Sequence, residues 1–180
     1  MNILPKQDLW KRTMRKLLLL DADVIMDLHT LGLFEKFIKA YEVSVTRTVL
    51  GETKYFRKDG QRQAIYISDT VTIIDDVDID SLIHVQNEAK EAQLGIDPGE
   101  LESVAYMRNA KEKVIFCTCD AAAIKLIAYI ELDNRSISVE KALRDTGYRK
   151  RNLYPRHYQK TYERRIKEGK ALRVQFKKLT

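Results

Sequence analysis

The chain has 180 residues, 44% hydrophobic and 32% charged. That is enough apolar material for one full core and enough charge for a solvated surface, which excludes a disordered chain. No apolar run approaches the ~20 residues of a membrane helix. The basic N-terminal stretch meets only Leu17 to Leu20 before Asp21, short of the about 7–15 apolar residues of a signal peptide. A soluble, cytoplasmic protein is expected.

The net charge of +6 is unevenly spread. From Arg144 to Thr180 there are 13 Lys and Arg against 3 Asp and Glu, a net +10. The other 143 residues carry 19 against 23, a net −4. A mildly acidic body with a basic tail suits an enzyme that acts on a polyanion, and equally a solvated helical end. The two cysteines, Cys117 and Cys119, alternate along an expected strand and face opposite ways, which excludes a disulfide framework. His29, His84 and His157 show no zinc-ligand spacing.

In chain order, "KLLLLD" reads as a buried strand and "VIMDLHTLGLFEKFIKA" as helical. "YEVSVT" is a second strand. Thr46 or Thr48 would cap a helix "VLGETKYFRKDG" that Gly60 ends. "AIYISDTVTIID" is a third strand region. A helix capped by Asp80 or Ser81 runs to Gly95, and another follows "DPG". "VIFCTCD" is a buried strand ending on an acid, and "AAAIKLIAYIEL" is a helix. "RSISVEKALRDTG" holds a short strand or a cap and a helix. The tail is one or two helices, broken near Pro155 and Gly169. Alternating strands and helices predict an α/β fold, a three-layer α/β/α sandwich around a central parallel sheet. This body spans residues 1–143, and a basic helical extension covers 144–180.

Ligands of such sheets bind beyond the carboxyl ends of the strands. Asp21 and Asp120 each follow a buried apolar strand, so they share that edge. Two carboxylates there repel each other, and a divalent cation removes the conflict; oxygen ligands suit Mg2+ or Mn2+. Glu52, Glu100 and Glu102 lie at or near helix starts and are candidates to join them, although the helix before Asp120's strand needs a long connection or a tilt to do so. Asp23 is a ligand or a helix cap. Asp27, Asp75, Asp76, Asp78 and Asp80 read as solvated acids, and Asp97 as a turn residue.

The pieces "LLLLDADVIMDL", "VTRTVLGETKYF", "LGIDPGELESVAYM" and "VIFCTCDAAA", in that order from Leu17 to Ala123, resemble the motifs of PIN-domain nucleases. The resemblance implies a PIN-like sandwich with catalytic acids Asp21, Glu52, Glu100 and Asp120. Asp21, Glu100 and Asp120, with Asp23, would hold Mg2+ or Mn2+. Glu102 rivals Glu100, and Thr118 matches the small hydroxyl residue common before the last acid. The chain departs from the pattern in Cys119 beside Asp120, in the 16 residues before the first strand, and in the basic tail.

The resemblance implies metal-assisted hydrolysis of RNA phosphodiester bonds. Arg149, Lys150, Arg151, Arg156, Lys160, Arg164 and Arg165 would grip the nucleic acid. Tyr148, Tyr154, Tyr158 and Tyr162 would stack on bases or pack the tail. Small relatives resemble the toxins of toxin–antitoxin pairs, which implies an antitoxin-type partner and a homodimer; RNA processing and defence fit the same residues. Competing readings are a receiver-like signalling domain, because "VTIID" mimics an acceptor strand, and a nucleic-acid-binding protein without catalysis. A phosphate-loop enzyme is excluded, since no GxxxxGK[ST] occurs.

Overall fold

A computed structural model describes residues 16–149 and 152–177. The leucine run forms β1 (Leu17–Leu20), the middle strand of a five-stranded sheet. On one side lie β2 (Glu42–Thr46) and then β5 (Thr72–Ile74); on the other lie β6 (Ile115–Cys117) and then β7 (Ser136–Ile137). Every pairing in it is parallel, with Leu18 opposite Val43 on one side and Ile115 on the other.

Counted along this sheet alone, the strand order is 3-2-1-4-5. The winding therefore reverses between β1 and β6, and sheets of this kind have their ligand crevice at the carboxyl ends of the strands at that point. That order also differs from the 2-1-3-4-5 of flavodoxin-like and receiver folds.

Leu18 and Leu20 enter one core and Leu19 the other, which is why the run is apolar without alternation. The first core joins the sheet to α1 (Ala22–Thr30), α2 (Phe34–Ala40) and α7 (Val139–Asp145). The second joins it to α4 (Ile79–Glu91), α5 (Pro98–Asn109) and α6 (Ala121–Tyr129). These are the three layers of an α/β/α sandwich. Leu18, Leu19 and Leu20 are fully buried, and each contributes roughly 1.5–3 kcal/mol. Asp21 is thus mounted at the end of a central strand buried on both faces.

Several elements differ from expectation. The helix expected to run to Gly60 stops early. After α3 (Arg47–Glu52), capped by Thr46, the chain forms an antiparallel hairpin of β3 (Tyr55–Lys58) and β4 (Gln61–Ala64). Its turn, Asp59-Gly60, has φ of 51° and 77°, the geometry that Asp-Gly turns between strands favour. The third strand region shrinks to Thr72–Ile74. Asp78, rather than Asp80 or Ser81, caps α4 by accepting the Ser81 N–H at 2.8 Å. The stretch after Arg135 holds both a strand, β7, and a helix, α7, which Ser138 caps.

The tail helix α8 (Gln159–Lys177) runs unbroken through Gly169 and packs along α6. A Cβ at Gly169 would collide with the Lys125 carbonyl and come within 2.8 Å of Ala128 Cβ. Gly169 is therefore a site of close helix approach rather than a break. The division expected before Arg144 falls inside α7. Cys119 lies beyond β6, so the two cysteines do not alternate along one strand; both are buried, free thiols in the same core. Among the described residues no helix is long and apolar enough to cross a membrane.

Candidate metal centre

Asp21 takes the N-cap position of α1 with an extended backbone, but its side chain caps nothing. The carboxylate is bonded instead by the Ala22 N–H and by a residue at the end of the neighbouring strand. Its Oδ2 accepts the Thr118 hydroxyl at 3.0 Å, and Thr118 Oγ1 accepts the Asp120 N–H at 3.1 Å. One buried threonine thus joins the ends of β1 and β6 at the crevice. Asp120 caps α6 through Oδ1, which accepts the N–H groups of Ala122 at 2.6 Å and Ala123 at 2.9 Å. These bonds leave Oδ2 for another partner.

Glu100 sits in the first turn of α5, 7% exposed, and its Oε2 accepts the Asp97 N–H at 3.3 Å. The start of α5 meets α3 at Gly99, beside Val49 and Glu52, and α5 also contacts β2. Gly99 permits it. A Cβ there would lie 2.5 Å from Glu52 Oε2 and 3.0 Å from Val49 Cγ2. Glu52, the last residue of α3, lays its carboxylate over this glycine and accepts the Gly99 N–H.

Burial pushes the Asp21 carboxyl up to about 7, and the charges of Asp23 and Asp120 add to the rise. Burial pushes Glu100 up to about 9, with Asp21 and Asp120 adding. Glu52 is also raised, first by desolvation, then by Asp97, Glu102 and Asp23. The acids therefore feel one another. Glu100 is raised by the charges of Asp21 and Asp120, and Glu52 by those of Asp97, Glu102 and Asp23; among the described residues the oxygens of Asp21, Glu100 and Asp120 do not all come within 4.8 Å of one another, so a shared ion would have to draw them together. A buried carboxylate cluster either keeps protons or takes a cation. The donor set is entirely carboxylate oxygen, which fits a hard divalent ion such as Mg2+ or Mn2+.

Compared with protein-family models, curated proteins and solved structures, the chain matches none of them.

Asp27, expected to be a solvated acid, is buried. Its Oδ2 accepts Arg156 Nε at 2.9 Å, Arg156 Nη2 at 2.6 Å and His157 Nε2 at 2.7 Å. Arg156 Nη1 also reaches Asp23 at 2.9 Å. The tail thus returns over α1 and closes beside the acids. Cys119 completes a buried trio, since ligand atoms of Asp27, Cys119 and His157 all lie within 4.8 Å of one another. A sulfur–nitrogen–oxygen set would suit zinc. However, 2.7 Å is hydrogen-bond spacing, shorter than the about 3.3 Å between two ligands of one tetrahedral ion, and Arg156 already engages the same oxygen. We read the trio as a latch.

The other expected tail contacts are mixed. Arg165 donates to the Cys119 carbonyl at 2.5 Å, and Arg164 lies 3.7 Å from Glu168. Lys125–Glu168, Lys170–Asp133 and Arg173–Glu131 pair the tail with the body. Arg149 and Lys160 are exposed; Lys150 and Arg151 lie outside the described residues. Tyr162 is buried, with its hydroxyl 2.5 Å from Ser136 Oγ. Tyr148 and Tyr158 pack on the core, and Tyr154 is exposed. Sequence reading missed Asp27 and His157. The only local signal was Asp23 and Asp27 four apart on one helix face.

A cavity of about 460 Å³ lies at the other end of the strands, lined by Lys16, Tyr41, Lys113 and Lys141 among others. It is remote from the acids, and parallel sheets bind ligands at the carboxyl edge.

Proposed function

We propose that the chain is a PIN-like, metal-dependent nuclease that hydrolyses RNA phosphodiester bonds. The observation that supports this reading is that Asp21 and Asp120 are linked through Thr118 at the carboxyl ends of β1 and β6, with the buried Glu100 near enough to be raised by both their charges. The strand order 3-2-1-4-5 favours it over a receiver-like module.

Asp21, Glu100 and Asp120 would hold Mg2+ or Mn2+. When bound, the ion supplies charge neutralisation at the phosphate and an activated water. Thr118 orients the Asp21 carboxylate, and the α6 amides orient Asp120, so the ligands are set before substrate arrives. Glu52, on the exposed rim, is placed to accept a proton from the attacking water or to position it. Asp23 is partly neutralised by Arg156, which softens the field met by an approaching phosphate. RNA as substrate, an antitoxin-type partner and a homodimer come from the resemblance and belong to this proposal.

The test is cleavage of single-stranded and structured RNA, and of single-stranded DNA, with Mn2+, Mg2+ or EDTA. Cutting should need metal, and Asp21→Asn should lower it on the order of a thousandfold. Full activity in Asp21→Asn or in EDTA would remove the metal centre from the chemistry. Metal and RNA binding without any cutting would support the non-catalytic reading.

A further inference from the structure

We propose that the β3–β4 hairpin, rather than the C-terminal helix, is the arm that grips the substrate strand, with single-stranded RNA as its ligand. This choice of ligand rests on the nuclease reading.

The hairpin stands apart from the main sheet, and most of its residues are exposed. Its register sets Arg57 directly opposite Arg62. Like charges in that position destabilise a strand pair, and a two-stranded hairpin has little stability to spare. Lys54 and Lys58 add to the charge, with Asp59 the one acid between Lys54 and Tyr66. None of these four cations makes an ion pair among the described residues. On α8, by contrast, Lys170 and Arg173 are paired with body carboxylates.

The hairpin also has two faces. Phe56 turns inward, its ring 5.4 Å from that of His29 on α1, which itself stacks on Phe34 at 4.3 Å. Alternation puts Tyr55, Arg57 and Arg62 on the opposite face. There the Arg62 guanidinium lies 4.0 Å over the Tyr55 ring, and Tyr55 is 43% exposed. Tyr66 follows at 89% exposure, although Ile65 and Ile67 on either side of it are buried. Its backbone is pinned while its ring stands in solvent. Cations beside exposed aromatic rings are what binds the backbone and bases of an unpaired strand.

Position completes the case. Only Thr53 and Lys54 separate Glu52 from β3. Thr53 is buried, and its hydroxyl donates to the Val49 carbonyl at 2.8 Å. The Ile65 N–H donates to the Lys54 carbonyl at 2.9 Å, which closes the root. The basic arm is thus rigidly joined to the rim of the acidic centre. A polyanion repelled by those acids needs such a neighbour.

The experiment uses the full chain carrying Asp21→Asn, in EDTA, so that no RNA is cut. Binding of a fluorescent 12-nucleotide oligouridine is followed by anisotropy across a salt series. Arg57→Gln/Arg62→Gln should weaken binding at least tenfold and lower the slope of log affinity against log salt by about 1.4, at ~0.7 per lost phosphate contact. Relief of the Arg57–Arg62 repulsion is set against loss of the Arg62–Tyr55 contact, so this variant should stay folded with a melting temperature close to that of the parent. Tyr55→Ala/Tyr66→Ala should weaken binding without changing the slope. Lys167→Gln/Lys170→Gln on α8 should bind as the parent does. Parent-like binding by the hairpin variants, loss confined to the α8 variant, or no RNA binding by the parent would each overturn the proposal. Hairpin-dependent binding by a chain that never cuts RNA would leave the arm standing and sink the nuclease reading. Unchanged cleavage and KM when the arginine pair is neutralised in the otherwise wild-type chain would do the reverse.

Discussion

The guanidinium of Arg156 closes on the carboxylate of Asp27 across 129 positions of sequence, Nη2 to Oδ2 at 2.6 Å. The same oxygen takes His157, which is wholly buried. Removing Asp27 strands a buried imidazole and a guanidinium. Asp27→Ala should therefore lower stability by about 2–4 kcal/mol, and Arg156→Ala, whose side chain is partly exposed, by about 1–2 kcal/mol. Urea denaturation of both singles and the double variant checks this. Additive losses would mean the two residues act separately.

Thr118 and Asp120 separate geometry from ligation. Thr118→Val keeps the shape but removes the donor to Asp21, and activity should fall about 10–100-fold with weaker metal binding. Asp120→Asn keeps an acceptor for the α6 amides, so it should stay folded while losing cleavage. Asp120→Ala should lose cleavage and also about 1 kcal/mol of stability, because the cap is gone. Equal stability of Asn and Ala variants would deny the capping role.

Gly99→Ala tests the contact between α3 and α5. Alanine is the better helix former by up to about 1 kcal/mol. The new Cβ, however, would occupy the space of the Glu52 carboxyl, a flexible side-chain end that can swing away. Stability should hold within about 1 kcal/mol of wild type while cleavage drops at least about tenfold. An active variant would place Glu52 outside the reaction.

The buried acids set a pH dependence. In the folded protein Asp21 titrates at about 7 and Glu100 at about 9, against about 4 in an unfolded chain. Between those values the folded form binds more protons than the unfolded form, so stability falls as pH rises. The Asp21 share of the loss is complete near pH 7, and the Glu100 share continues to near pH 9. In EDTA the melting temperature should decline from pH 5 to 9, and Asp21→Asn should flatten the part below 7. Mn2+ should raise the melting temperature more at pH 8 than at pH 5.5. A flat profile in EDTA would mean that the acids are not desolvated together.

Much of this was legible in the chain itself. A continuous apolar run of only four residues between polar ends fits a strand buried on both faces better than a helix, so Leu17 to Leu20 announced β1 and put Asp21 at its carboxyl end. The same logic placed Asp120 after β6. The hairpin was signalled by Asp59-Gly60, but the apolar and charged residues before it also fit a helix, and only pairing across the turn decides between them. Gly169 looked like a helix break, since a glycine without neighbours weakens a helix; its reason is the α6 backbone pressed against it.

Sequence by itself determined the alternation of buried strands and helices, and with it the parallel sheet and the edge where acids collect, because periodicity and strand ends are local properties. It did not determine which acids meet or which cations are free. Glu100 comes near enough to be raised by the charge of Asp21 where Gly99 lets α5 pack against Glu52. Asp27 is buried because Arg156 and His157 return to it, and much of the tail's charge is engaged on the body while the hairpin's is not. Those outcomes depend on contacts between residues far apart in the chain, and charge pairing and desolvation exist only once the fold has brought them together.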